Sequence, residues 1–117
     1  MAITYGSGYA RTQDATTWRS ALVIRQAHRA QNLALRFGGA GIDYRVMAYG
    51  VAGDELLASG ASGTDTVTRI AGLPECLACQ RVELQVHLTS GSTGIDVQAE
   101  ASWVPLGNGP DVMQESR

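Results

Sequence analysis

The chain has 117 residues, 44% of them hydrophobic and only 17% charged, with a formal net charge of −2. That composition suits one domain with a single core and a surface built from neutral polar groups. It offers no electrostatic footprint for nucleic acid, because the nine cations are all arginines and form no block, and no apolar run reaches the roughly 18 residues of a membrane-spanning helix.

The opening residues, Met-Ala-Ile-Thr-Tyr-Gly, have neither a charged region nor an apolar core and do not read as a signal peptide. The expected site of synthesis and residence is therefore a cytoplasm. Residues 1–16 are rich in Gly, Tyr and Thr and alternate weakly, which predicts an irregular arm with at most a short strand near Tyr5. Residues 17–26 hold a strand centred on Leu22 and Ile24. "QAHRAQN" is a polar connection too short to bury a helical face.

"NLALRF" alternates, with Leu33, Leu35 and Phe37 on one side and Ala34 and Arg36 on the other. "GGAG" breaks the chain, and "IDYRVMAYG" alternates again, with Ile42, Tyr44, Val46 and Ala48 on its apolar side. Together they predict a hairpin turning at residues 38–41. Short strands follow at Glu55–Ala58 and in "TVTRIAG". "RVELQVHLT" puts Val82, Leu84, Val86 and Leu88 on one face, and "IDVQAEASW" does the same with Ile95, Val97, Ala99, Ala101 and Trp103. The tail "PLGNGPDVMQESR" has no period.

Seven or eight short strands without a helix-length pattern predict an antiparallel β-sandwich, either jelly-roll or immunoglobulin-like, with irregular terminal arms. The expected bounds are an arm over 1–16, the sandwich over 17–104 and a tail over 105–117. The last two strands are expected to pair as a hairpin. Setting Leu88 opposite Val97 avoids placing Glu83 against Glu100, since like charges directly opposed are destabilising. The outer face of that hairpin is a polar stripe containing Gln85, His87, Gln98 and Glu100. It reads first as solvated surface and alternatively as a ligand face.

Cys76 and Cys79 stand in "GLPECLACQ". A redox CxxC opens a helix, whose N-terminus lowers the thiol pKa. Here a strand pattern follows at once, and Glu75 acts in the opposite sense. A zinc site needs four ligands, usually from two pairs, and His28 and His87 make no second pair, so Cys76, Cys79 and His87 are the minor metal candidates. Packing of the cysteines at the end of the sandwich is the simpler reading. No serine sits in a nucleophile elbow. Asp96 and Glu100 share a face but stand about 13 Å apart along a strand, too far for a glycosidase pair. The chain thus reads as a non-enzyme without cofactor or metal.

Phe37, Tyr44 and Trp103 fall on apolar faces. The aromatics and arginines left for contact with a partner are Tyr5, Tyr9, Arg11, Trp18, Arg19, Arg25 and Tyr49. The arm "AITYGSGYARTQD", the β-core from Trp18 to Trp103 and the tail "PLGNGPDVMQESR" resemble in kind the small all-β auxiliary structural proteins of tailed bacteriophage particles, such as capsid decoration or tail-associated subunits. That resemblance implies a non-enzymatic subunit, oligomeric or part of an assembly, that binds capsid or tail proteins and resides in the virion. The rival expectation is a carbohydrate- or ligand-binding sandwich acting through the polar stripe with Tyr49 or Trp18. A metal or redox centre at the two cysteines comes third.

Overall fold

The computed structural model describes residues 4–25, 30–51, 53–62, 67–71, 73, 79–91, 93–105 and 113–116. These residues form nine strands and no helix: β1 (Thr4–Thr12), β2 (Arg19–Arg25), β3 (Ala30–Gly38), β4 (Ile42–Gly50), β5 (Gly53–Ala61), β6 (Val67–Ile70), β7 (Cys79–Leu88), β8 (Ile95–Pro105) and β9 (Met113–Ser116). They build two antiparallel sheets, ordered β1-β8-β3-β6 and β5-β4-β7-β2-β9. The predicted β-sandwich is what the chain forms.

The pairing has one rule. Strands β1 and β8, β2 and β7, β3 and β6, and β4 and β5 are partners. The first eight strands are therefore one long hairpin ribbon, folded at the β4–β5 turn and rolled up. Pairs β3·β8 and β4·β7 stitch the roll into two sheets. This is the jelly-roll order, which separates the two topologies left open by the strand pattern. Among the described strands only β4 and β5 are chain neighbours within a sheet, and Gly53 at φ 127° closes their turn in a conformation that favours glycine.

Two predicted hairpins are thereby corrected. Strands β3 and β4 lie in different sheets, so "GGAG" crosses the sandwich. So do β7 and β8, and Leu88 is opposite Ile42 while Val97 is opposite Ala10. The physical reason is that alternation fixes which face of a strand is buried. It does not say whether two apolar faces lie side by side in one sheet or opposed across the core. Here they are opposed: Val82, Leu84, Val86 and Leu88 share one buried cluster with Val97, Ala99, Ala101 and Trp103 from the other sheet. Phe37, Ile42, Val46 and Ile24 complete it, and burying each large side chain contributes roughly 1.5–3 kcal/mol.

The irregular arms are corrected as well. Residues 4–12 form a full strand paired along its length with β8, and residues 113–116 pair with β2. In β1 the buried positions are Gly8, Ala10 and Thr12 and the exposed ones Tyr5, Ser7, Tyr9 and Arg11. The alternation is one of size, and an apolar pattern misses it. Size matters because β1 and β2 close the sandwich edge in near contact. A Cβ on Gly8 would stand 2.1 Å from the Ala21 carbonyl oxygen, so only glycine fits this crossing. Ala21 lies where β2 bulges between Ser20 and Leu22.

In the "GLPECLACQ" segment, Leu73 packs against the core and Cys79 opens β7. Cys76 lies outside the described residues, as does His28.

Candidate functional site

The sandwich has two outer faces, and the expected polar stripe is divided between them. Gln85 and His87 lie on the five-stranded sheet, Gln98 and Glu100 on the four-stranded sheet. The stripe predicted as one ligand face does not exist, because its two strands were never neighbours.

On the five-stranded face the polar groups bind one another. Gln85, 7% exposed, accepts from Arg45 Nε at 2.6 Å and donates through Nε2 to Tyr49 Oη at 2.7 Å and to Glu83 Oε1 at 3.2 Å. Glu83, 6% exposed, also accepts from Ser20 Oγ and from Arg81 Nε, the latter at 2.6 Å. Burial pushes the Glu83 carboxyl up, but the hydrogen bonds from Ser20, Arg81 and Gln85 outweigh it and hold the group below the usual carboxylate range. Above this layer the Arg81 guanidinium covers the Tyr49 ring at 4.3 Å and that of Arg45 covers Trp18 at 4.3 Å. The Trp18 and His87 rings meet at 3.9 Å. Nδ1 of His87 lies 2.7 Å from Leu88 O and 3.7 Å from Asp43 Oδ2. Trp18 and Tyr49, expected as binding platforms, are thus capped by arginines. The expectation that Gln85 stands on a solvated or ligand-facing stripe is corrected: its hydrogen-bonding groups are spent inside the protein. Among the described residues no three His, Cys, Asp or Glu side chains gather to hold a metal at His87 or elsewhere.

The four-stranded face is built differently. Cross-strand partners arrange it in rows: Tyr5 beside Ser102 beside Ala34, Ser7 beside Glu100 beside Arg36 beside Arg69, Tyr9 beside Gln98, and Arg11 beside Asp96. The small residues leave open depressions of about 270, 340 and 300 Å³ that all touch Glu100, the first two sharing Tyr5 and the last two Ser7, so that they run together along β1 and β8. At its far end the trough meets, through Tyr9, a cleft of about 430 Å³ at the β1–β2 edge, lined by Arg11, Trp18 and Arg19. Tyr5 is 74% exposed and Tyr9 43%. Tyr9 Oη donates to Asp96 Oδ1 at 2.6 Å, and Arg11 pairs with the same oxygen at 2.9 Å. The hydrogen bond from Tyr9 and then that from Arg11 lower the Asp96 pKa, while the bond to Asp96 raises those of Tyr9 and Arg11. The Tyr9 ring is thereby fixed in place before anything binds. Tyr5 and Tyr9 are four residues apart on one strand face, about 13 Å.

The structure thus gathers Tyr5, Tyr9, Arg11, Arg19, Gln98 and Glu100 on one continuous surface, with Trp18 at its margin. Arg25 stands apart, in register with Arg81 on the other sheet. Arg36 and Arg69 belong to the site and were not singled out from sequence, and Asp96 was weighed only as a partner of Glu100 in a carboxylate pair. Their outward parity was legible, but their neighbours were not, because those follow only from the rolled-ribbon pairing.

No family model matches this chain, and no curated protein matches it. Among solved structures the chain is similar to one titled "Crystal structure of PirA", with a TM-score of 0.57 over 84% of this chain and 93% of that one, at 8% sequence identity. At that identity the likeness is one of fold: the two chains share a β-sandwich.

Proposed function

We propose that this protein is a non-enzymatic carbohydrate-binding β-sandwich, and that an extended oligosaccharide lies in the trough across the outer face of the four-stranded sheet. The observation that carries the reading is the exposure of Tyr5, with Tyr9 fixed 13 Å or so further along the same strand. A large aromatic ring left open on a polar sheet face has a cost in water and a use against the apolar face of a sugar. Between the two rings, Ser7, Gln98 and Glu100 offer neutral and charged hydrogen-bonding groups. The trough is long, open and bordered by flat rings, which suits a chain ligand better than a compact one. Binding to a glycan array, repeated with Tyr5→Ala and Gln98→Ala, tests it. Glycan hits that weaken in both variants are the expected result, and no hit on any glycan overturns the reading.

The accessory subunit of a bacteriophage particle is the second reading. Its support in the fold is the β4–β5 end, where Val51 is 88% exposed and Leu56 55%, a pair of apolar side chains suited to a protein contact. Mass measured in solution over a range of concentrations tests self-association, and a monomer throughout that also fails to sediment with capsid or tail assemblies removes this reading.

A further inference from the structure

Charge is unevenly distributed along the trough. Toward the β1–β2 end Arg11 is matched by Asp96 and the Tyr9–Gln98 row is neutral, while Arg19 lies beyond the trough, in the adjoining cleft at the β1–β2 edge. At the other end β6 sets Arg69 directly opposite Arg36 in the sheet register. Like charges directly opposed are destabilising. Arg36 is compensated, since its Nη2 lies 2.6 Å from Glu100 Oε2. Arg69 has no ion-pair partner among the described residues. The row therefore holds two guanidinium groups and one carboxylate, an excess of one positive charge. It borders a depression of about 270 Å³ whose opposite wall is Tyr5 and whose floor is made by Ala34 and Ser102.

We propose that this row is a subsite for the carboxylate of an acidic sugar residue, with Arg69 as its principal ligand and the Tyr5 ring beneath the pyranose. The inference rests on the trough being a glycan site and adds the chemical class and the direction of the glycan. A guanidinium presents a planar fork that matches a carboxylate with two parallel hydrogen bonds. A carboxylate there removes the Arg36–Arg69 repulsion that the free protein carries. The neutral rows along β1 take the uncharged residues of the chain, so the acidic residue is placed at the β6 end.

The test is a glycan array holding neutral, carboxylated and sulfated oligosaccharides, together with methyl esters of the carboxylated ones, probed with the wild type, Arg69→Gln and Tyr5→Ala. Carboxylated glycans are expected as the strongest hits. Arg69→Gln should weaken them tenfold or more while leaving their methyl esters unchanged, and Tyr5→Ala should weaken both. An unchanged melting temperature for Arg69→Gln shows that the loss is not unfolding. If neutral glycans bind as well as acidic ones and Arg69→Gln changes nothing, the acidic subsite is overturned and the glycan trough survives. A preference for sulfated over carboxylated glycans overturns the carboxylate assignment. If no glycan binds, the underlying reading falls and takes the subsite with it.

Discussion

The two outer faces of this sandwich carry similar residues and treat them in opposite ways. On the five-stranded face Glu83 and Gln85 are buried, their hydrogen bonds used by Ser20, Arg45, Tyr49 and Arg81. On the four-stranded face Gln98 and Glu100 are exposed, Gln98 beside Tyr9 and Glu100 between Ser7 and Arg36. The difference lies in the neighbours. Where polar side chains crowd together, along one strand as Arg81, Glu83 and Gln85 do and from the flanking strands as Ser20, Arg45 and Tyr49 do, they close into a layer that is part of the structure. Where small residues interrupt the rows, as Ser7 does beside Glu100 and Ala34 beside Ser102, a trough is left. A polar strand face is therefore open or closed according to the neighbours that surround it.

The largest effect expected from breaking this contrast is at Glu83. Glu83→Ala removes the acceptor shared by Ser20, Arg81 and Gln85 and leaves donors unpaired in a nearly buried layer, which costs about 2–4 kcal/mol. Chemical denaturation reads it directly. The same residue sets an acid limb. Its pKa is lower in the folded state than that of an ordinary glutamate, so its stabilisation is fully present above the ordinary value and is lost as pH falls through the folded one. Stability measured between pH 6 and 3 should fall less steeply in Glu83→Gln than in the wild type. Equal slopes would show that the carboxylate is not stabilised by its partners.

Next in size is Tyr5→Ala. Loss of the stacking ring should weaken glycan binding at least tenfold, which is about 1.4 kcal/mol, with unfolding stability within about 0.5 kcal/mol of wild type because the ring is exposed. A stability loss much above that would place Tyr5 in the structural class of residue found on the other face. Tyr49→Phe is the matching change there. It deletes the acceptor for Gln85 Nε2 at 2.7 Å and should cost about 1 kcal/mol in denaturation, with no change in glycan binding.

The sandwich itself was legible in the sequence, because alternation marks the buried face of each strand and turns separate them. The strands of the core hold their expected positions: Leu33, Leu35 and Phe37 on β3, Ile42, Val46 and Ala48 on β4, Val82, Leu84, Val86 and Leu88 on β7, and Val97, Ala99, Ala101 and Trp103 on β8 are buried, while Tyr44 and Ile95 pack against the core only partly buried. The pairing was not legible. Chain neighbours usually pair in a sheet, in roughly two cases of three, and a jelly roll is built almost wholly from the exceptions. Strand β1 was missed because its inward residues are glycine, alanine and threonine, selected for a close approach to β2 and not for hydrophobicity. The site suffered from both causes. Tyr5, Tyr9, Gln98 and Glu100 were each picked out as surface groups, but on an arm and a hairpin that do not exist. Their meeting on one face depends on the register of β1 against β8.

The smallest effect is expected at Glu100, and it separates the faces most sharply because the residue type matches Glu83. Glu100→Gln breaks an exposed ion pair with Arg36, and exposed pairs contribute little, so stability should stay within about 0.5 kcal/mol of wild type. Its effect on binding has a definite sign. With Glu100 neutral, Arg36 and Arg69 face the trough as an uncompensated pair, and a carboxylated glycan should bind a few-fold more tightly. A methyl-esterified glycan, which has no charge to offer, should not. If both ligands instead lose affinity, Glu100 is itself a hydrogen-bond acceptor for sugar hydroxyls, and its pairing with Arg36 serves to aim it. One carboxylate on a closed face would then be structural, and its counterpart on the open face a ligand contact, with the cross-strand neighbours deciding which.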